Sequence, residues 1–292
     1  MLGAPKPLDP AMSASDTALS TLSPVAFIGG GNMARSLIGG LVARGGDADA
    51  IRVAEPVEVL REALQRDFGV RSHDHAADAA DGASVWLLAV KPQVMRSVCS
   101  ALAPLAQAQR PLVISIAAGI TASQLDLWLG GGQALVRAMP NTPALLGAGI
   151  TGLYANAAAT QAQRARAAAL LDAVGPTVWI AEEARMDAVT AVSGSGPAYV
   201  FLLAEAMQAA GVAQGLAPEA ARALVNQTLL GAATMLTRSE EDAAVLRARV
   251  TSPGGTTQAA IETFETGGFR ALVAAAIAAA TERGRELSAA ND

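Results

Sequence analysis

The feature that most constrains the fold of this chain is an apolar segment, residues 24–28, that runs directly into the sequence GGGNMA at residues 29–34. An amphipathic helical pattern of about ten residues follows. A buried strand, a tight glycine turn and a helix, with G-x-G-x-x-A spacing at Gly29, Gly31 and Ala34, are typical of a dinucleotide-binding fold. The sequence therefore predicts a Rossmann-type unit at this end of the chain.

Each position of this turn has a physical role in the prediction. Gly29 permits the tight turn, Gly31 lets a pyrophosphate approach the backbone, and Ala34 lets the helix lie close to the strand. The start of the helix then directs unpaired N–H groups at the phosphates. We include Asn32 and Met33 in the predicted cofactor site.

Strand and helix patterns alternate up to about residue 183, as expected for a parallel sheet covered on both faces. The predicted strands are residues 24–28, 51–54, 84–90, 111–117, 134–138, 150–155 and 176–181. The predicted helices are residues 34–44, 57–68, 121–129 (with Thr121 as N-cap) and 160–173. The polar run 71–81, with His73 and His75, is expected to be a solvated loop.

Beyond residue 184 alanine-rich helical patterns replace the strands, and the main ones are residues 197–213, 218–236, 242–250 and 269–287. Residues 198–204 are apolar on every helical face, so we expect a helix buried all round, in a half that packs against a second copy. The fold class predicted is α/β: an N-terminal Rossmann-type doubly wound sheet followed by an all-α dimerisation domain. The predicted boundaries are a flexible tail 1–23, a dinucleotide-binding domain 24–183, and a helical dimerisation and substrate-binding domain 184–292.

Composition excludes several classes of protein. The net charge is −5 and basic runs are lacking, which argues against nucleic acid as a partner. The longest apolar stretches, such as residues 271–280, are too short to span a bilayer. Residues 1–23 lack the apolar core of a signal peptide, so a cytoplasmic protein is expected. Cys99, the only cysteine, is expected to be a buried, inert thiol on a helix packed against the sheet, and no metal site is predicted.

A second glycine turn, TSPGGTT at residues 251–257, precedes the helical segment 258–264. Its two glycines allow a tight turn, and the unpaired N–H groups where a helix begins would bind a small carboxylate beside a hydroxyl. The alternative is an ordinary helix N-cap after a Pro-Gly turn.

Two further turns lie where predicted strands end, at the edge where open sheets bind ligands. We expect the turn at residues 89–92 to line the cofactor, with Lys91 in a structural role more than as a proton donor. We expect the turn at residues 117–119 to face the nicotinamide half of the cofactor, and a plain strand-to-helix turn is the alternative there. The residues assigned to the cofactor here are Ala89, Val90, Lys91, Pro92, Ala117, Ala118, Gly119 and, on the adjoining wall, Asn141. The loop 193–197 resembles a serine-nucleophile loop, but close packing is favoured because no histidine is near in sequence.

Six motifs in order resemble the pyrroline-5-carboxylate reductase family over nearly everything after residue 23. They are GGGNMA (29–34), AVKPQ (89–93), SIAAGI (115–120), RAMPNTP (137–143), AVSGSGPAY (191–199) and SPGGTT (252–257). The resemblance implies hydride transfer from a reduced nicotinamide cofactor to a cyclic imine, giving L-proline, the last step of proline biosynthesis. It also implies a site between the nucleotide domain of one subunit and the helical domain of another, so an intertwined homodimer is expected and a ring of dimers stays open.

The residue chemistry agrees with an imine substrate, because a cyclic imine can bind already protonated and then needs orientation more than acid catalysis. N–H groups around Gly255, Thr256 and Thr257 would hold the carboxylate. The resemblance places the hydrogen bond to the ring nitrogen on the Thr257 hydroxyl, as the catalytic contact, and adds Ser252 as a substrate contact.

An acidic residue in the sequence and the family resemblance point to different cofactors. Glu55 follows the second strand, where an acidic residue usually binds the ribose 2′-hydroxyl and favours NADH. The family commonly uses NADPH, and Arg35 and Arg52 are nearby cations, so we favour NADPH and leave NADH open. Two other functions also remain: a hydroxyacid or other imine reductase, and a nucleotide-sensing protein without catalysis.

Overall fold

The computed structural model describes residues 24–290, so the predicted tail 1–23 lies outside the described residues. The described chain forms two compact units. The first comprises residues 24–194 together with residues 281–290, and the second is Ser195–Ala280. The domain boundary at residues 183 and 184 stays a prediction.

The first unit is built on an eight-stranded sheet. Its strands are β1 Val25–Ile28, β2 Ile51–Ala54, β3 Arg71–His73, β4 Val85–Leu88, β5 Leu112–Ser115, β6 Ala134–Met139, β7 Thr151–Ala155 and β8 Thr177–Trp179. They lie in the order β3-β2-β1-β4-β5-β6-β7-β8. The first six follow the dinucleotide-binding order 3-2-1-4-5-6.

Helices join the strands of this unit. They are α1 Asn32–Ala43, α2 Glu58–Phe68, α3 Ala76–Ala80, α4 Pro92–Gln109, α5 Ala122–Trp128, α6 Gln161–Leu171 and α7 Met186–Val189. Short 3-10 turns occupy Ala48–Ala50, Thr142–Leu146, Asp172–Val174 and Glu183–Arg185, and a π-helical turn occupies Thr190–Gly194. Thr121 caps α5 as predicted, with its hydroxyl accepting from the Gln124 N–H.

The sheet is covered on both faces, as the apolar strand patterns predict. Along β1, Phe27 packs into one core cluster while Ile28 packs into the other. Leu87 and Leu88 of β4 divide in the same way. Successive side chains of a strand point to opposite faces, so continuous apolar strands require two apolar layers.

The sheet is mostly parallel, as predicted, but the parallel arrangement does not hold between β6 and β7. This strand pairs antiparallel with β6, with Val136 opposite Ala155 and Met139 opposite Gly152. The connection, residues 140–150, contains only a 3-10 turn. A parallel return needs a crossover of a dozen or more residues, usually helical, so this chain reverses instead.

The prediction of a solvated loop over residues 71–81 is also wrong. Arg71–His73 forms an edge strand parallel to β2, and Ala76–Ala80 forms a short helix that buries Ala79 and Ala80. An edge strand meets a neighbour on one side only, so it tolerates polar side chains and leaves a weak sequence pattern. His75 is exposed, as expected.

The second unit is helical, as predicted. Its helices are α8 Gly196–Ala213, α9 Pro218–Arg238, α10 Ala243–Arg249, α11 Thr256–Thr266 and the first part of α12 Phe269–Ala289. The expectation that residues 198–204 are buried all round is not met within one chain, since Phe201 is 64% and Leu202 65% exposed. Such apolar exposure marks an interaction surface.

Two absences hold for the described residues 24–290. No helix there is long and apolar enough to cross a membrane. No cluster of three His, Cys, Asp or Glu side chains in that part of the chain is placed to hold a metal ion.

Cys99 is fully buried on α4 against the sheet, and burial raises the pKa of its thiol to about 12. The thiolate is the reactive form. We therefore expect the native protein to react with less than about a tenth of an equivalent of a thiol-specific chromogenic disulfide at pH 8. Addition of guanidinium should unfold the protein and expose the single cysteine, so that its thiol reacts with about one equivalent of the reagent. Rapid labelling of the native protein would contradict this burial.

Candidate active site

The first unit brings the predicted cofactor residues to one edge of its sheet. The turns after β1, β2, β4 and β5 all leave from the carboxyl ends of parallel strands. Backbone hydrogen bonds join these ends: Gly29 N donates to Ala54 O at 2.9 Å, and Ala89 N donates to Ile28 O at 2.8 Å. This edge, where the strand order reverses between β1 and β4, is where open α/β sheets bind ligands.

The glycine turn is shaped by close contact with the end of β4. Gly29 has φ +106°, and a methyl group on it would lie 2.8 Å from the Ala89 carbonyl oxygen. A methyl group on Gly31 would have no atom of the described chain within 4 Å. The two glycines therefore differ in role: packing requires Gly29, whereas Gly31 leaves the backbone open to a ligand.

The start of α1 lies open beside this turn. Gly31 is its N-cap, and no side chain in the described part of the protein caps it. Asn32 is exposed, Met33 is half-buried, and Ala34 is packed into the core. The N–H groups of the first turn can therefore reach a phosphate, and the arrangement fits the pyrophosphate of a dinucleotide.

Glu55 is only 8% exposed and points at the glycine turn. Its Oε2 accepts a hydrogen bond from Gly30 N, and its Oε1 accepts one from Val57 N, both at 3.0 Å. The carboxylate thus joins the turn after β1 to the segment after β2. Sequence reasoning did not predict this contact.

Arg61, on α2, adds a cation that sequence reasoning missed. Its Nη1 donates to the carbonyl oxygens of Glu55, at 2.8 Å, and Pro56, at 2.9 Å. Its position six residues after Glu55, one turn into the helix that follows β2, is the signal that locates it beside the β2 end.

The two cations named from sequence have partners elsewhere. Arg35 pairs with Asp67 and lies over the Phe68 ring, 5.0 Å from its centroid. The hydrogen bond that Arg35 donates to the Asp67 carboxylate holds the pKa of Asp67 below its usual range. Arg52 donates to the carbonyl oxygen of Asp81.

The ends of β4 and β5 complete this edge. Ala89 and Val90 are half-buried, and exposed Lys91 precedes Pro92, the first residue of α4. After β5, Ala117 and Ala118 are half-buried, whereas Gly119 is buried with φ +70°.

Asn141 lies in the loop after β6, at the start of the 3-10 turn Thr142–Leu146, and is 9% exposed. Its Nδ2 donates to Ser193 O at 3.1 Å and its Oδ1 accepts from Ile150 N at 3.0 Å, so its side chain braces the chain reversal before β7. The Ser193 hydroxyl donates to Val189 O at 2.9 Å. A methyl group on Gly194 would lie 2.5 Å from Met139 Cε, which agrees with close packing here.

The second unit holds the other glycine turn. Gly254 has φ +70°, its N–H donates to Gln258 Oε1 at 2.6 Å, and Gly255 N donates to Ser252 O at 3.0 Å. The Thr251 hydroxyl is committed to Arg247 O at 2.7 Å.

α11 begins immediately after this turn, with Gly255 as its N-cap and no side-chain cap within residues 24–290. The hydroxyls of Ser252, Thr256 and Thr257 have no hydrogen-bond partner among the same residues. Gly255, directly after the Pro253-Gly254 turn, is therefore itself the N-cap, and no threonine hydroxyl accepts from the helix. The N–H groups of Thr256 and Thr257 and the three hydroxyls remain available to a small carboxylate, whereas the N–H groups of Gly254 and Gly255 already have partners.

A Rossmann-type sheet with an open glycine turn, followed by a helical unit, defines a dinucleotide-binding oxidoreductase subunit as the class of this protein. Family models agree. Residues 24–119 match the family described as NADP oxidoreductase coenzyme F420-dependent, and residues 183–287 match pyrroline-5-carboxylate reductase dimerisation.

Individual proteins agree as well. A pyrroline-5-carboxylate reductase from Pseudomonas aeruginosa is 52% identical over 90% of this chain and 96% of its own. The solved pyrroline-5-carboxylate reductase of Coxiella burnetii has a TM-score of 0.89 at 42% identity, covering 92% of this chain and 99% of its own. The Plasmodium falciparum pyrroline carboxylate reductase with NADP bound has a TM-score of 0.80 at 27% identity, covering 92% and 99%. The chain belongs to the pyrroline-5-carboxylate reductase family.

Three glycine-to-alanine substitutions in the first unit should separate backbone strain from steric contact. Gly31→Ala, with an ordinary φ and open space, should change the free energy of unfolding by less than about 0.5 kcal/mol. Gly82→Ala, with φ +67° and open space, should cost about 1 kcal/mol. Gly29→Ala adds the contact with Ala89 and should cost about 3 kcal/mol or more. The midpoints of urea unfolding measure the relative stability of the three variants. Equal midpoints for Gly29→Ala and Gly82→Ala would contradict the predicted order of stability.

Proposed function

We propose that this chain reduces 1-pyrroline-5-carboxylate to L-proline with NADPH, the last step of proline biosynthesis. The observation that carries the proposal is the start of α11, where the N–H groups of Thr256 and Thr257 and the hydroxyls of Ser252, Thr256 and Thr257 have no partner among residues 24–290 and would receive a small carboxylate. Family membership supplies the reaction that such a receptor would serve.

The substrate would be oriented by four residues of this turn: Ser252, Gly255, Thr256 and Thr257. N–H groups at the start of the helix bind the carboxylate, since a helix N-terminus favours an anion. The Thr257 hydroxyl accepts a hydrogen bond from the protonated ring nitrogen and presents the C=N carbon for reduction. A protonated imine is already electrophilic, so orientation supplies the catalysis and no histidine is required.

The cofactor residues lie in the first unit. The bound nicotinamide supplies the hydride. Gly29, Gly31, Asn32, Met33 and Ala34 hold the pyrophosphate at the start of α1. The remaining cofactor contacts are assigned to Glu55 at the ribose, to Ala89, Val90, Lys91, Pro92, Ala117, Ala118 and Gly119 along the ends of β4 and β5, and to Asn141 at the wall.

NADPH is preferred in this proposal, with NADH as the weaker alternative. Both oxygens of the Glu55 carboxylate accept from backbone N–H groups, which offsets part of its charge. Arg61 brings a guanidinium to the same end of β2, and guanidinium suits phosphate recognition. The NADP-bound relative supports the same preference.

The active form proposed is an intertwined homodimer in the cytoplasm, with a ring of such dimers as a further assembly. The dimerisation family match covers the helical part of the chain. The exposed apolar residues of α8, from Tyr199 to Leu203, give a second copy a surface to cover.

Two other functions make different predictions in a substrate panel. A reductase for another imine or a hydroxyacid would prefer a substrate other than pyrroline-5-carboxylate. A nucleotide-sensing protein would bind the cofactor without turning over any imine. The open receptor on α11 favours the reductase, because a sensor has no need of it.

Thr257→Ala should lower kcat/KM for pyrroline-5-carboxylate at least about tenfold, because it removes a hydrogen bond to a charged group. Thr257→Ser keeps the hydroxyl and should retain most of the activity. Thr263→Ala is the matched control on the same helix, since that hydroxyl bonds Ala259 O. NADPH oxidation followed by absorbance measures all three. Full activity of Thr257→Ala would remove the role assigned to this hydroxyl.

Arg61→Met should lower the ratio of kcat/KM for NADPH to kcat/KM for NADH about tenfold, because a 2′-phosphate loses its charge-assisted contact. The control is Arg66→Met on the same helix, whose exposed side chain pairs with Asp67. Parallel assays with the two cofactors give the ratio. An unchanged ratio in Arg61→Met would show that another group selects the cofactor.

A further inference from the structure

The last turns of the C-terminal helix, α12, belong to the first unit. They are therefore part of the body that carries the glycine turn and the ends of β4 and β5. Three positions on one face of α12 make contact there: Gly284, Leu287 and Ser288. Their i, i+3 and i+4 spacing places them side by side on the helix.

Leu287 is 44% exposed, and its Cβ and backbone lie against the turn after β5. A methyl group on Gly119 would stand 3.3 Å from Leu287 Cβ and 3.7 Å from Ser288 N. Gly119 has φ +70°, a conformation that favours glycine. The turn at residues 117–119 and the end of α12 are thus in backbone-level contact.

Gln124, on α5, joins the segment that follows this turn to the end of α12 by hydrogen bonds. Its side chain is buried, with 5% exposure. Its Oε1 accepts from Thr121 N at 2.8 Å, which closes the start of α5 just beyond the turn. Its Nε2 donates to Ser288 O at 3.0 Å. One side chain therefore links the segment that follows the turn to the end of α12.

The third contact lies one turn earlier on α12. A methyl group on Gly284 would stand 3.1 Å from Asp187 Cβ. Burial raises the pKa of Asp187, while the charges of Arg137 and Arg285 act in the opposite direction. The direct ion-pair partner of Arg285 is Glu282, with Arg285 Nη1 3.0 Å from Glu282 Oε2, so the contact at this position is the close packing of Gly284 on Asp187.

We propose that Leu287 and Gln124 are positioning residues for the cofactor: they hold the end of α12 against the turn at residues 117–119 and thereby fix the wall that receives the nicotinamide half. The inference rests on the cofactor role given to this turn under the proposed function. A preordered wall binds more tightly because less backbone freedom is lost on binding.

The first test is direct titration of the whole protein with NADPH in the absence of substrate, followed by cofactor fluorescence. Leu287→Ala should raise the dissociation constant about fivefold or more, whereas Leu287→Met, which keeps the reach of the side chain, should stay within twofold of native. Leu127→Ala is the matched control, because Leu127 is 73% exposed on α5. In turnover assays Leu287→Ala should raise KM for NADPH and leave KM for pyrroline-5-carboxylate within twofold.

The second test uses two capping-box glutamines. Gln124→Met and Gln163→Met each remove a side chain that accepts from the N-cap residue of its helix, α5 or α6. Gln124 also reaches Ser288, so only Gln124→Met should weaken NADPH binding, again about fivefold. Thermal unfolding of both variants reports the loss of the cap itself.

The outcomes separate the inference from the proposed function. NADPH binding of Leu287→Ala within twofold of native, or equal weakening in Gln124→Met and Gln163→Met, overturns the positioning role. Failure of the native protein to bind either nicotinamide cofactor overturns it too. If the variants bind as expected but the native protein does not reduce pyrroline-5-carboxylate, the positioning role stands and the proposed substrate is wrong.

Discussion

The close approach of the first glycine turn to the end of β4 is the constraint on which the cofactor edge depends. β1 lies between β2 and β4, so its turn must pass both neighbouring strand ends. A side chain at Gly29 would collide with the Ala89 carbonyl. With glycine there, Gly29 N reaches Ala54 O, Gly30 N reaches the Glu55 carboxylate, and α1 begins with its N–H groups open. One residue without a side chain thus orders three strand ends.

The helix starts of the described chain differ in whether a side chain caps them. α5 and α6 are closed by capping boxes, in which Thr121 or Thr160 accepts from the backbone and a glutamine returns the bond. α1 and α11 begin at Gly31 and Gly255, which have no side chain to offer. A side-chain cap is worth about 1 kcal/mol to a helix, and leaving it out keeps the N–H groups for an anion. α1 and α11, which begin at glycine, are the helices assigned to cofactor and substrate, although α2, α4, α8 and α9 also lack a side-chain cap.

Much of the fold was predictable because its signals are local. Apolar runs identify seven of the eight strands, and glycine spacing identifies the turn after β1. The errors lie where neighbours decide the outcome. β3 is a polar edge strand, recognisable only beside β2, and the direction of β7 depends on how the chain turns after Met139. The roles assigned to residues such as Thr257 and Asn141 stay predictions, because a motif names a residue type and not its ligand.

Local patterns along the chain are enough to predict the Rossmann-type order of strands and helices, the helical second unit and the two open glycine turns. Periodicity and the conformational freedom of glycine act within a few residues, so they can be read along the chain. The packed fold was needed to show that Glu55 bonds the backbone at Gly30, and that Gln124 bonds Ser288, 164 residues further along the chain. These contacts form between groups that are distant in sequence, and their partners are set by which surfaces the packed elements bring together.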